Sequence, residues 1–562
     1  MKSLSSSIKD LLHSWPQFNN AVSSLVSENA NYPVDVLGIH GSLFGYFTNE
    51  LVNKISFANL QAVQYNNAAA YTEKQYKTFS KDLVIVVLGE TEANKLYMDF
   101  STIMPEAEVY ILSYFSSIPY RPAAPGSAIF GQRSGVLSKL ASKNDYDLLN
   151  KKPPRIFIVT MRAFLNPLPP PEIINKGSFT IKVKDSIDTV KIAGRLADLG
   201  YTRVSKVGVR GEFSLRGEVL DIFLPLDENP TRFIFDFDEI ESIKTFETEN
   251  QTTLSSKESV FIYPMKEVLW NDELVDLLEK KLDDYQSSAI SEGDGNNSEA
   301  AENNPNVHLP FTDFALEFKN NLINNLRTKK TSEGEELYYG LIFDRQYSVL
   351  DYITDNTFVL LYDFDRLENT PMLLDREYNF SYRKARGNIP VLPPHLTKFE
   401  FNSLLEKHLN CINIKTIKGS PLESIEEEAK FEGNTSDEIH YKEEEPHPGK
   451  ITYAEMLGYG DESLSPKKTY EKPAPAVSRV SIDAEPGRSF FGNIVFMKEE
   501  LEKLQNDNWN VFIFTNSENQ QLRIHEIFKE FTDTEKPNPV RLIPQAVSEG
   551  FVIPDKKLLV IQ

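Results

Sequence analysis

Between Tyr201 and Thr252 the chain reads YTRVSKVGVRGEFSLRGEVLDIFLPLDENPTRFIFDFDEIESIKTFETENQT. Apolar and polar residues alternate there with a period of two, which predicts an antiparallel sheet. Phe213 and Leu215 alternate with Ser214 and Arg216, and Val219, Asp221 and Phe223 alternate with apolar neighbours. Asp227, Asn229 and Pro230 favour a chain reversal, each for its own backbone reason. A second strand runs from Arg232 to Phe237, and a third extended run ends at Thr245-Phe246. Arg216 and Arg232 fall within these strands among apolar side chains. A strand arginine in such a setting is ordinarily ion-paired on a solvated face.

The 562-residue chain as a whole predicts three or four domains at roughly 100–200 residues each. The single cysteine, Cys411, excludes an internal disulfide framework and a cysteine zinc site, and suits a reducing cytoplasm. No apolar run approaches the roughly 18 residues that span a bilayer, so no membrane partner is expected. The first residues, MKSLSSSIKDLLHSW, lack a signal-peptide core and read as an amphipathic helix with Ile8, Leu11, Leu12 and Trp15 on one side. The net charge of −22 opposes the phosphate backbone, and no basic stripe with interleaved aromatics offsets it. A protein partner is expected rather than nucleic acid.

Residues 1–174 alternate strand and helix, as in LVIVVLG, ETEANKLYMDFSTIM and AEVYILSY, and predict an α/β lobe with a mostly parallel sheet. The antiparallel region occupies 175–263 as an excursion from that lobe, which resumes over 264–395. Two polar stretches interrupt the order. Residues 286–307 are almost devoid of large apolar side chains and predict a disordered loop. Residues 396–486 read as a connection followed by an acidic linker, in which 421–450 hold ten acidic residues against three lysines. A third α/β domain is expected over 487–562. Its last residues, KKLLVIQ, stop within an apolar strand, the pattern expected of an N-terminal portion of something longer. The eight histidines show no metal-ligand spacing, LYYGLIF (337–343) reads as a core strand, and no catalytic or metal site is assigned.

GEFSLRGEVLDIF followed by RFIFDFDEIESIKTFE and a Gln-Thr pair resembles a small domain shared by the helicase UvrB and the transcription-repair coupling factors, where it docks UvrA. In UvrB a glycine loop ends in Gly-Lys-Thr, with the lysine for phosphate and the hydroxyl for magnesium. The corresponding loop is GIHGSLFG, and aligned on Gly38 and Gly41 it places Phe44 and Gly45 at those two positions. UvrB also carries a DNA-threading hairpin beyond the region matched here by Pro119, Tyr120 and Arg133, whereas this chain has only the short 141–154 connection. These departures favour the coupling-factor family. The fold class implied is α/β: a degenerate P-loop NTPase-like parallel-sheet domain, an inserted α+β UvrA-binding domain, and a further α/β domain.

By resemblance, the partner is UvrA, met through Arg216 and Arg232, with Phe235 and Asp236 beside them in a strand that departs from commoner family residues. No cofactor is expected in this chain. ATP and magnesium, RNA polymerase and double-stranded DNA are expected only for motor and polymerase-binding domains beyond residue 562. The alternatives are an ATP-active helicase of the UvrB kind, or a structural, autoinhibitory module without UvrA binding.

Overall fold

The computed structural model describes residues 4–27, 30–68, 78–116, 118–142, 153–293, 310–408, 410–416, 478–488, 493–534 and 538–562. Seven parallel strands form the main layer. They are β1 (Val34–Leu37), β2 (Asp82–Val87), β3 (Glu108–Leu112) and β4 (Arg155–Thr160), joined later in the chain by β13 (Phe358–Tyr362), β14 (Cys411–Lys415) and β15 (Ser478–Ser481). Their order is β15-β1-β14-β13-β2-β4-β3. β2 and β4 are buried at every position, as their near-continuous apolar runs require of parallel strands. One polar pair fixes their register: Arg155 stands opposite Asp82 and donates to both its carboxylate oxygens, at 2.8 and 2.5 Å.

Between β4 and β13 the chain leaves the layer and builds a small α+β domain. β5 (Phe179–Lys182) pairs with β12 (Ser259–Ile262). A six-stranded sheet comprises β6 (Thr202–Arg203), β7 (Glu212–Arg216), β8 (Val219–Ile222), β9 (Thr231–Asp236), β10 (Glu239–Phe246) and β11 (Thr253–Lys257), in the order β11-β10-β9-β8-β7-β6. The helix Thr189–Asp198 is capped by Asp188, whose carboxylate accepts from the Val190 and Lys191 amides. Its Ile192, Ala193 and Leu196 share one core with Phe213, Leu220, Phe233, Phe235 and Ile243. One sheet face is therefore covered, and the alternation along each strand leaves the polar set on the other.

The final layer is β16 (Glu485–Pro486), β17 (Asn510–Phe514), β18 (Arg541–Ile543), β19 (Phe551–Ile553) and β20 (Leu558–Ile561), in the order β16-β19-β20-β17-β18. Phe512, Phe514, Phe551 and Val560 join the same apolar core as Ile8, Trp15, Phe47 and Ile85, so this layer packs directly on the first.

Four expectations are corrected. Residues 286–293 are not a loop: the helix Asp272–Gly293 continues through them, because Ala289 extends the buried series Leu278, Leu282, Tyr285 at helical spacing. The rest of that predicted loop, from 294 on, lies outside the described residues. The stretch 396–416 is not a connection but ends in β14, a strand between β1 and β13, and Cys411 at its start is buried, which pushes its thiol up to about 12. The expected linker through 486 includes β15, which adds a parallel edge to β1 at Ser478–Ser481; the acidic run 421–450 lies outside the described residues. Finally, LYYGLIF forms no strand. Glu335–Tyr338 is a 3-10 turn, held by the buried Glu335 carboxylate, which accepts from Lys266, Ser332 and Tyr339. Tyr338 and Tyr339 are core residues all the same.

Candidate docking face and the degenerate nucleotide loop

Register across the small sheet aligns Ser214, Asp221, Arg232 and Lys244 in one row on the open face. Asp221 is the centre of that row and is only 2% exposed. Arg232 donates to it through two nitrogens, Nε to Oδ1 at 2.7 Å and Nη2 to Oδ2 at 2.9 Å. The same Nη2 reaches Gln251 Oε1 at 2.8 Å, and the guanidinium lies over the Phe246 ring, 4.3 Å from its centroid. The hydrogen bonds from Arg232 to Asp221 raise the affinity of this guanidinium for its proton. Arg216 approaches the same carboxylate at 3.7 Å, with its side chain 56% exposed. Two arginines thus share one buried anion. The fork of Arg216 remains available to a carboxylate from outside.

The alternation also separates Phe235 from Asp236. Arg232, Ile234 and Asp236 belong to the open face, while Phe233 and Phe235 turn into the core under the helix. Phe235 therefore offers no surface to a partner, which corrects its expected role; Asp236 is exposed. The exposed aromatic is the neighbouring Phe237, 84% exposed in the two-residue turn between β9 and β10. It adopts φ +54°, a left-handed conformation that bulky residues rarely take. The turn lies beside the one joining β7 to β8, because the Phe235 amide donates to Glu218 O. Phe237, Asp236 and Arg216 consequently gather at one end of the sheet. Sequence reading overlooked Phe237 and the central part of Asp221: both stand an odd number of residues from Arg232, so alternation along β9 does not reach them, and it is the hairpin turn and the cross-strand register that bring them to this face.

At the second site, Gly38 and Gly41 hold φ +78° and +51° in the turn between β1 and the helix Leu43–Ala68. Phe44, standing where a phosphate loop has its lysine, points into the core: it is fully buried, 4.8 Å from the Tyr362 ring and 6.0 Å from Phe100. Gly45 carries no hydroxyl and packs so closely that a Cβ would lie 2.6 Å from Ile103 Cδ1. The amides that would cradle phosphate are spent. Those of Leu43, Phe44 and Gly45 donate to His40, Gly41 and Ser42 carbonyls, and that of Ser42 donates to Glu549 O at 3.1 Å. The arrangement offers neither a phosphate cradle nor a magnesium ligand.

Beside the loop, Asp99 is fully buried and accepts from the Ser548 amide at 2.6 Å and hydroxyl at 2.5 Å. Burial pushes its carboxyl up to about 6, against the opposing effect of the Ser548 hydrogen bonds. The folded state therefore holds this proton more tightly than the unfolded chain does, and its contribution to stability rises as pH falls from about 6 towards 4. Comparing melting temperatures of the wild type and Asp99→Asn should show the wild type gaining on the variant between pH 7 and pH 5. A difference that does not change over that range would contradict the assignment.

Among the described residues no group of three or more His, Cys, Asp or Glu side chains is placed to hold a metal ion, and no helix is long and apolar enough to cross a membrane. The small sheet has a counterpart in a known family: residues 179–268 match the one described as the UvrB interaction domain. Beyond that region, the chain is similar to the transcription-repair-coupling factor of Borreliella burgdorferi, at 24% identity over 498 residues, covering 88% of this chain and 35% of that protein. The Bacillus subtilis protein of the same name is 23% identical over 309 residues, covering 55% of this chain and 24% of its own length. That of Mycobacterium tuberculosis is 32% identical over 172 residues, covering 31% of this chain and 14% of its own. The chain spans about a third or less of the length of the curated relatives it matches.

Proposed function

We propose that this chain acts in transcription-coupled nucleotide-excision repair by recruiting UvrA to the open face of the β7–β10 sheet. The observation that carries the reading is the pair of arginines sharing Asp221, within the region that matches the UvrB interaction domain. Arg216 supplies a free fork for a partner carboxylate, Arg232 is pre-oriented beside it, and Phe237 offers an aromatic anchor at the same end of the sheet. An exposed aromatic next to an ordered arginine is the composition of an interface hot spot. ATP-driven translocation, double-stranded DNA and RNA polymerase belong, in this proposal, to segments that these 562 residues do not contain.

Two substitutions test it by co-purification with UvrA. Phe237→Ala removes an 84% exposed ring that touches no core, so affinity should fall about tenfold, roughly 1.4 kcal/mol, with melting unchanged, since alanine keeps the Cβ that meets the left-handed backbone. Arg232→Lys keeps the charge but loses the two-pronged contact with Asp221, and should weaken UvrA binding more than it weakens the fold. Wild-type retention of UvrA by both variants would argue for a different face.

A further inference from the structure

The loop Ala546–Gly550 of the last layer meets the degenerate nucleotide loop at Gly41 and Ser42 and the helix Glu90–Ile103 beside it. Glu549 O accepts from the Ser42 amide at 3.1 Å. A Cβ on Gly41 would come within 2.6 Å of Gly550 O and 3.0 Å of Glu549 Cβ, so only glycine permits this approach. The helix Glu90–Ile103 holds the incoming loop along its length. Thr102 Oγ1 donates to Ala546 O at 2.6 Å, Asp99 accepts both Ser548 donors, and Lys95 pairs with Glu549 at 2.8 Å. The last pair is half-exposed at both ends and adds little; the Asp99–Ser548 contact is buried and charge-assisted, and supplies most of the hold.

We propose that the loop Gly38–Gly45 is a peptide socket, and that its ligand is the Ala546–Gly550 segment of the same chain, which latches the last α/β layer onto the first. Peptide carbonyl has taken the place that phosphate holds in an active nucleotide loop. The charges lining the remaining space are matched among themselves: Lys95 with Glu549, and Arg366 with Glu92 and Asp363. An additional anion would meet no unpaired cation among them.

Amide hydrogen exchange on the intact chain tests the latch. Asp99→Ala should accelerate exchange of both the Ser548 and the Ser42 amides by about tenfold or more, the effect of losing a charge-assisted bond. The β9 and β10 amides should be unaffected. Asp99→Asn, whose amide can accept from the Ser548 N–H and donate to its hydroxyl, should stay within about threefold of wild type, because the contact geometry survives. Should Asp99→Ala fail to fold, Ser548→Ala removes the hydroxyl alone and must still accelerate Ser42. Acceleration at Ser548 without Ser42 would overturn the proposal, as would protection of Ser42 by magnesium-ATP in the wild type, since a filled socket cannot accept phosphate.

Discussion

A Phe44→Lys variant, which restores the residue a phosphate loop requires, should lose about 5 kcal/mol or more of stability and gain no ATP turnover. Phe44 is fully buried between Phe47, Phe100 and Tyr362. Deleting a core phenylalanine alone costs about 3–5 kcal/mol. Placing an ammonium there adds the cost of an unpaired buried charge, which reaches several kcal/mol. The sum rivals the whole stability of a typical domain. Turnover would still fail, because Gly45 supplies no hydroxyl and the Ser42–Gly45 amides already have acceptors. Thermal melting beside a nucleotide-hydrolysis assay checks both halves. A stable, ATP-hydrolysing variant would return the chain to the helicase reading.

Asp221→Ala should have the second largest effect, and it acts through two arginines at once. The carboxylate is almost fully buried and carries both hydrogen bonds of Arg232 and the approach of Arg216. Without it the guanidiniums face each other uncompensated. Arg232, with its side chain 23% exposed, can tilt partly into water, which limits the loss to about 2–3 kcal/mol for the small domain. UvrA affinity should fall further than melting predicts, because both forks lose their aim. Asp221→Asn should behave almost as badly, since its NH₂ presents donors to donors. A double-mutant cycle with Arg232→Ala separates positioning from packing: a coupling of about 1.5 kcal/mol or more is expected, and strict additivity would deny the pair its role.

Much of the fold was legible because the relevant signals are local. LVIVV announced a buried parallel strand, and period-two alternation announced the small sheet. What escaped depends on partners distant in sequence. β14 and β15 are short and lie beside acidic or connecting sequence, and only pairing with β1 and β13 makes them strands. Gln286–Gly293 is polar enough to resemble a loop until Ala289 is seen against its core. At the docking face the arginines were visible, but resemblance drew attention to Phe235, whereas the alternation around it assigns that ring to the core; Phe237, on the same parity, is exposed only because the strand ends at Asp236 and the chain turns there. The missing lysine of the glycine loop could be read from eight letters. Its occupant, some 500 residues further along, could not.

Calorimetric titration of UvrA into this chain and into its Arg216→Ala variant tests the central claim most directly. Arg216 is the cleaner choice, because its side chain is 56% exposed and its contact with Asp221 is 3.7 Å, so its loss leaves Arg232 and the fold in place. The wild type should bind saturably, and the variant, melting at the wild-type temperature, should bind about 30-fold more weakly or worse, a loss of about 2 kcal/mol. Equal affinity in the two proteins, or no binding by the wild type, would contradict the account.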